Sequence, residues 1–151
     1  MTMRLLRTFL PALILFPAPL AAQTTGGAGT VFVVAPDVAG SRDEALSRLA
    51  QRFTARLIQS LGQAEVATMR VERARLDSLL RARAAGLALD ATLGGPENRR
   101  SAQLRLIDVA TGDELRAYMF GPGDDEGVLG LAERAAPRIA AAMKEEQRTD
   151  R

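Results

Sequence analysis

Thr30-Val31-Phe32-Val33-Val34-Ala35 is the stretch that decides the fold class of this chain. It is apolar and rich in β-branched residues, and it lacks the alternation of polar and apolar positions that marks a strand with one wet face. Strands of this kind are buried on both faces, which is typical of parallel sheets covered by helices. Pro36 follows directly and ends the strand, because proline cannot donate a ladder hydrogen bond.

A helix is predicted immediately after this strand. Ser41-Arg42-Asp43-Glu44 matches a capping box, in which Ser41 and Glu44 each accept a hydrogen bond from the other's backbone amide. Apolar residues then recur every three or four positions up to Gly62, as on one face of a helix: Leu46, Leu49, Ala50, Phe53, Leu57 and Leu61. Arg48, Arg52 and Arg56 repeat off this face, and we interpret them as a solvated surface rather than an anion-binding row.

The remaining elements follow from the same patterns of periodicity and turn residues. They are a strand over 64–69, a helix over 71–85, strands over 87–93, 101–109 and 114–120, and a helix from Asp124 whose buried face ends at Met143. Thr111-Gly112-Asp113 is a turn signal between the last two strands, which predicts an antiparallel hairpin. Pro137 is expected to kink the last helix, because its ring removes one backbone hydrogen bond.

The predicted order of elements is therefore β-α-β-α-β-β-β-α. Alternating strands and helices at the start require parallel strands joined by right-handed crossovers. We predict an α/β fold with a mixed sheet, in which the first three strands are parallel, the last two form an antiparallel hairpin, and helices pack on the sheet.

The amino-terminal residues predict export. Residues 1–22 begin with Arg4 and Arg7, continue as an apolar segment and end in small residues, which is the plan of a secretory signal peptide. Prolines interrupt the apolar run, which is also shorter than the roughly 20 residues of a membrane span. We expect cleavage between Ala22 and Gln23 and no membrane span after cleavage. Because no cysteine is present to carry a lipid, we expect a soluble periplasmic protein rather than a lipoprotein.

Three segments are expected after cleavage. Residues 23–29 are polar and glycine-rich and predict a flexible linker, residues 30–143 form a single domain, and residues 144–151 form a frayed tail. Without Arg4 and Arg7 the 20 basic residues fall to 18, equal to the 18 acidic residues. A chain without a basic excess is poorly suited to a phosphate backbone, so we expect no nucleic-acid partner.

Composition also argues against catalysis. The chain contains no cysteine and no histidine, so it lacks a thiol nucleophile, the commonest general base and the commonest zinc ligand. We therefore predict that the protein is not an enzyme and assign it no catalytic residue, cofactor or metal. Asp124, Asp125 and Glu126 stand in the first turn of a predicted helix, where the helix dipole explains them better than a calcium site does.

Two stretches resemble a known family. They are Leu89-Asp90-Ala91-Thr92-Leu93-Gly94-Gly95 and the segment from Ala102 to Leu115, which contains Leu106-Ile107-Asp108-Val109-Ala110-Thr111-Gly112. This pattern is similar to the hairpin of the TolB amino-terminal domain-like group, which includes CsgG-like and FlgO-like bacterial envelope proteins. The resemblance covers about residues 30–143. It implies the α/β fold and an interaction domain of the cell envelope, but no pore, propeller or lipid anchor.

We therefore expect a non-enzymatic interaction module of the bacterial envelope, which binds one or more envelope proteins. Its binding surface is expected at the sheet edge or in the loops after the parallel strands, around Pro36, Asp37, Thr68 and Arg70. One alternative is a small-ligand-binding or acid-dependent hydrolytic domain that uses Asp37, Asp90 and Asp108, although caps and turns explain these carboxylates more simply. Another is a subunit of an envelope assembly, so an oligomer is possible.

Overall fold

The computed structural model describes residues 29–38 and 42–149. The predicted signal peptide, the cleavage site at Ala22 and Gln23, and Ser41 lie outside the described residues. The elements, in chain order, are β1 (Thr30–Val34), α1 (Glu44–Gln63), β2 (Ala67–Val71), α2 (Arg73–Arg81), β3 (Leu87–Gly94), β4 (Arg100–Asp108), β5 (Glu114–Gly123) and α3 (Asp125–Thr149).

The strands form one mixed sheet in the order β2-β1-β3-β4-β5. β1 pairs in parallel with both β2 and β3, whereas β3–β4 and β4–β5 are antiparallel. The predicted fold class and strand directions are confirmed. Because β1 lies between two parallel neighbours and is buried, it is the doubly covered strand that its sequence predicts.

The two faces of the sheet carry cores of different size. α1 and α3 cover one face. There the inward residues of the strands, including Val31, Leu89 and Leu104, pack against residues of the two helices, including Phe53 and Ile139. The short helix α2 covers only part of the other face, over a smaller cluster around Phe32, Leu76, Ala88 and Val109. Of the helices in the described residues, two therefore lie on the first face and one lies on the second, which has the smaller core.

The boundaries that differ from those predicted include the start of β2 and the end of α2. β2 begins at Ala67 rather than Ala64, because Ala64 and Val66 donate hydrogen bonds to the carbonyls of Ser60 and Leu61 and Glu65 has a φ of +61°. These residues complete the end of α1. The end of α2 is closed in a similar way. Arg83 has a φ of +50°, and α2 stops at Arg81 instead of reaching 85.

The helix termini also differ from the sequence prediction. Asp43 caps α1, its Oδ1 accepting a hydrogen bond from the Ala45 amide at 2.9 Å. α3 continues through Thr149, beyond Met143 where the predicted domain ends, and Pro137 lies inside it on the exposed side. Over residues 29–38 and 42–149, no helix is both long and apolar enough to cross a membrane.

Candidate functional site

Part of the second sheet face is left open by α2. Asp90 pairs with Arg105 and Thr92 with Gln103, and across the next pair of strands Gln103 lies opposite Met119 and Arg105 opposite Ala117. These side chains share one face because residues alternate along a strand. We call this region the open sheet face, defined by Thr92, Gln103, Arg105, Ala117 and Met119. Met119 is 76% exposed, the larger exposure of the two large apolar side chains, Met69 and Met119, that are exposed within the described residues.

A concavity of about 770 Å³ lies at one end of the open sheet face, and we call it the β5 concavity. Met119, Phe120 and Pro122 contribute its wall from β5, and Pro96 contributes from the turn after β3. In the part of the chain that the structure describes, β5 is an edge strand, because it pairs with β4 alone. The β5 concavity is therefore an apolar hollow beside a strand whose backbone pairs with β4 on one side.

Glycines allow the turn and the strand end beside the β5 concavity to approach each other. Gly121 has a φ of +125°, and a Cβ atom there would lie 2.7 Å from the Arg100 carbonyl oxygen. Gly95 has a φ of +88°, and a Cβ atom would lie 2.3 Å from the Arg99 carbonyl oxygen. Larger residues would force both strand ends apart, so these two glycines shape the wall of the hollow.

A fully buried arginine supports the same end of the sheet. The side chain of Arg100 is 1% exposed, and its Nε donates to Asp125 Oδ1 at 3.0 Å. Its Nη1 donates to the Gly95 carbonyl at 2.5 Å and lies 3.5 Å from Asp43 Oδ2. One guanidinium therefore joins the cap of α1, the start of α3 and the turn after β3.

A second charged cluster lies on the open sheet face itself. Arg73 Nη2 donates to Asp90 Oδ1 at 2.7 Å, and Arg105 Nη2 donates to Asp90 Oδ2 at 2.5 Å. The Asp90 side chain is 4% exposed, while the two arginine side chains are about 40% exposed. Burial raises the pKa of Asp90, but the hydrogen bonds from Arg73 and Arg105 outweigh it and hold the pKa below its ordinary value. Asp90 is therefore an ionised carboxylate.

This cluster borders a second hollow, of about 540 Å³, which we call the arginine cleft. Arg73, Arg83 and Arg105 line it together with Asp77 and Asp90. Its apolar lining comes from Leu76, Leu80 and Ile107. The cleft thus combines three guanidinium groups and two carboxylates beside apolar side chains. Within the described ranges, no group of three or more acidic residues is arranged to hold a metal ion.

The predicted loop residues do not all come together. Pro36 and Arg70 line a hollow of about 230 Å³ between the end of β1 and α1. Asp37 instead forms a bridge with Thr92 of β3, its amide donating to the Ala91 carbonyl at 2.9 Å. Thr68 lies opposite Val31 within β2, outside the lining of that hollow.

The three aspartates of the hydrolase alternative are held in different ways. Asp108 Oδ1 accepts a hydrogen bond from the Ala110 amide at 2.9 Å, so it stabilises the hairpin turn as a local explanation predicts. Asp37 and Asp108 lie opposite positions 92 and 87 of β3, which places them about 17 Å apart along the strand. Asp90 is neither a cap nor a turn residue, and the simpler explanation is wrong for it.

Arg48, Arg52 and Arg56 are exposed along α1, and each of them forms an ion pair. Arg48 pairs with Glu44 in the same helix, while Arg52 lies 3.3 Å from Glu126 and Arg56 pairs with Glu133, both on α3. The interpretation as a solvated surface agrees with the exposure of these side chains. The two contacts to α3 were not predicted, and they neutralise charge that an anion-binding row would need.

Sequence reasoning also missed Arg73, Arg100, Arg105 and Met119 as residues of interest. One signal was present for Arg105, because the alternation in β4 places it on the face opposite Leu104 and Leu106. A charged residue in the middle of a strand, opposite Asp90 on the neighbouring strand, is a pattern from which this ion pair could have been predicted. Nothing in the local sequence distinguishes buried Arg100 from exposed Arg99.

No protein-family model and no curated protein sequence matches the chain. Solved structures are similar to it at low sequence identity. XCC0632 from Xanthomonas campestris, of family DUF330, has a TM-score of 0.55 at 6% identity, covering 79% of this chain and 88% of its own. The PelC dodecamer from Paraburkholderia phytofirmans has a TM-score of 0.47 at 15% identity, covering 80% of this chain and 93% of its own. Lipoprotein GNA1162 from Neisseria meningitidis has a TM-score of 0.44 at 18% identity, covering 75% of this chain and 96% of its own.

At these identities the similarity shows the fold alone.

Proposed function

We propose that this chain is a non-enzymatic interaction module of the bacterial cell envelope, resembling the TolB amino-terminal domain. In this proposal it binds an extended segment of another envelope protein along β5. The observation that carries the proposal is the 76% exposure of Met119 above the β5 concavity. A large apolar side chain displayed beside an apolar hollow is a feature of protein-binding surfaces.

The geometry of β5 suits strand addition. An extended segment can hydrogen-bond to the backbone of an edge strand while alternate side chains enter pockets on one face. Register shifts in the β4–β5 pairing, at Arg100/Ala102 and at Leu106/Ile107, leave a regular ladder between them. Pro122 limits pairing at the carboxyl end of β5, so the added strand would lie over the middle of β5 and place an apolar side chain against Met119.

The state of the carboxylates supports a non-catalytic function. Asp90 is ionised and bonded to two arginines, so it is poorly suited to donate a proton as a general acid. Asp37 and Asp108 stand near opposite ends of β3, too far apart for the paired carboxylates of a hydrolase.

The same proposal includes export of the protein to the periplasm. The charged start, apolar segment and small residues of 1–22 support cleavage after Ala22, and the absence of cysteine from the sequence supports a periplasmic protein without a lipid anchor. The hollow lined by Pro36 and Arg70 is a second candidate surface, which includes two of the loop residues chosen from the sequence.

The test compares two exposed methionines. Met119 and Met69 lie on the same face of the sheet, on the opposite edge strands β5 and β2. Tagged wild-type protein, Met119→Glu and Met69→Glu would each be crosslinked in periplasmic extract, and the partners would be quantified by mass spectrometry. Met119→Glu should reduce capture of a specific envelope protein about tenfold or more, whereas Met69→Glu should leave it unchanged.

An added variant, Arg70→Glu, tests the loop surface, and light scattering on the purified protein tests self-association. Loss of capture in Arg70→Glu alone would move the binding surface to the loops and contradict the β5 proposal. A stable oligomer that Met119→Glu dissociates would show that a second copy, and not another envelope protein, occupies β5. Capture that no variant changes would also contradict the proposal.

A further inference from the structure

We propose that the arginine cleft binds an oxyanion, a carboxylate or phosphate group, between Arg73, Arg83 and Arg105. This inference concerns the opposite end of the open sheet face from the β5 concavity and does not rest on the proposed function. It follows from the charge, the orientation and the surroundings of these three side chains.

The cluster around Asp90 contains more positive charge than the fold requires. One guanidinium is enough to neutralise a buried carboxylate, yet both Arg73 and Arg105 bond to Asp90, one to each oxygen. The second guanidinium leaves a net positive charge on this cluster. Two like charges held at one carboxylate repel each other, and an added anion would relieve that repulsion.

Asp90 also fixes the two guanidinium groups in place. Each arginine has five N–H donors in a planar fork, and each bonds to Asp90 through Nη2. Arg73 Nη2 also approaches the Ala35 carbonyl, at 3.4 Å. With about 40% of both side chains exposed, donors on the other edges can reach a ligand in the cleft. Because the groups are already positioned, less entropy is lost when an oxyanion binds.

Arg83 completes the cationic wall. It stands after the end of α2 with a φ of +50°, a conformation that is unfavourable for a residue other than glycine. The amide of the next residue, Ala84, donates to the Leu79 carbonyl at 3.0 Å and so fixes this turn. Within the described residues, the exposed guanidinium of Arg83 has no ion pair, which leaves its charge available to a ligand.

Two features set the expected strength of binding. Leu76, Leu80 and Ile107 line the cleft and lower the local dielectric constant, which strengthens attraction to the arginines. Asp77 lies on the same lining and opposes an anion, and both Asp77 and Asp37 act electrostatically on Arg73, so with Asp90 these carboxylates offset much of the positive charge of the three arginines. We therefore expect one oxyanion per chain with a Kd on the order of 1 mM.

The experiment is a titration followed by amide chemical shifts at a fixed ionic strength near that of 0.15 M salt, which suppresses non-specific attraction. Inorganic phosphate and succinate are the two probes, because they separate a phosphate ligand from a carboxylate ligand, and chloride is the reference. Saturable shifts should map to residues 73–84 and 105–112 for at least one probe.

Variants test whether the arginines are responsible. Arg105→Gln should weaken binding about tenfold, and Arg83→Asn about three- to fivefold. Arg83→Asn is the safer variant for folding, because asparagine tolerates a positive φ. Arg81→Gln removes the same charge from outside the cleft and is the matched control, with an expected change of less than about twofold.

Each result decides the proposal. Saturation by phosphate or by succinate, weakened by Arg83→Asn but not by Arg81→Gln, supports it and identifies the class of oxyanion. Absence of saturable shifts with both probes overturns it, and so does binding that Arg81→Gln weakens as much as Arg83→Asn. If Arg105→Gln does not fold, the comparison of Arg83→Asn with Arg81→Gln gives the answer.

Discussion

Arg100 and Asp125 form an ion pair, in which Nε of the buried arginine lies 3.0 Å from Oδ1 of the partly exposed aspartate, and this pair joins β4 to the start of α3. The same guanidinium reaches the Gly95 carbonyl and Asp43, the cap of α1. A charge this deeply buried is stable because polar groups surround it, since an unpaired buried charge costs several kcal/mol. The pair therefore fixes how both long helices meet one end of the sheet.

Arg100→Met should destabilise the protein by about 2–4 kcal/mol. Methionine fills much of the volume, but it removes the donors and leaves three acceptors in a partly buried site. The free energy of unfolding would be measured from urea denaturation followed by circular dichroism.

Arg99→Met is the matched control, because Arg99 is exposed and adjacent in sequence. Its effect should stay within about 0.5 kcal/mol. An equal loss in both variants would show that the Arg100 contacts do not contribute to stability as the structure indicates.

The Asp90 cluster makes stability depend on pH. The folded-state pKa of Asp90 lies below its ordinary value near 3.8, so its contribution is fully present above that value and is lost as pH falls through the folded pKa. Asp90→Asn should cost about 2–3 kcal/mol at pH 7, because two guanidiniums lose their anionic partner. The difference in the free energy of unfolding between wild type and Asp90→Asn should become smaller below about pH 4.

Urea unfolding at pH 7, 5 and 3.5 would measure this difference, with Asp113→Asn as the control. Asp113 is an exposed turn residue, and its variant should follow the wild-type pH dependence closely. A stability difference for Asp90→Asn that does not change between pH 7 and pH 3.5 would contradict the assigned ionisation.

The export proposal predicts the mass of the mature protein. Expressed with its own amino-terminus in a Gram-negative host, the chain should lose residues 1–22 and appear in the periplasmic fraction starting at Gln23. Intact-mass spectrometry and amino-terminal sequencing would establish the start. Ala22→Arg should block cleavage because the peptidase requires small residues there. A cytosolic product that keeps Met1 would contradict the proposal.

Periodicity was enough to predict the sheet and its strand directions. Val31–Val34 are buried on both faces of the sheet, and positions 101–109 alternate between its two faces. Each strand therefore has a sequence pattern that matches the faces it presents. The start of β2 and the end of α2 were predicted less well. Glu65 and Arg83 adopt a positive φ there, which no preference of glutamate or arginine indicates.

The candidate site depended on contacts that are distant in sequence. Arg73 meets Asp90 across 17 positions and Arg100 meets Asp125 across 25, so no spacing rule links the partners. The exposure of Met119 depends on where α2 packs, which is over the cluster around Phe32, Leu76 and Val109 and not over Met119. The sequence does not show over which strands a helix packs.

Gly86 is the glycine whose replacement should destabilise the turn before β3. It has a φ of +132°, and a Cβ atom would lie 2.9 Å from Cε2 of Phe32 in the smaller core. Gly86→Ala should cost about 2–4 kcal/mol, because it combines backbone strain with overpacking. Gly62→Ala is the matched control, since a Cβ atom there meets nothing within 4 Å near the end of α1. That variant should raise stability by up to about 1 kcal/mol through helix propensity and the unfolded state. Urea unfolding of both variants checks the prediction, and a Gly86→Ala protein as stable as wild type would contradict the turn geometry.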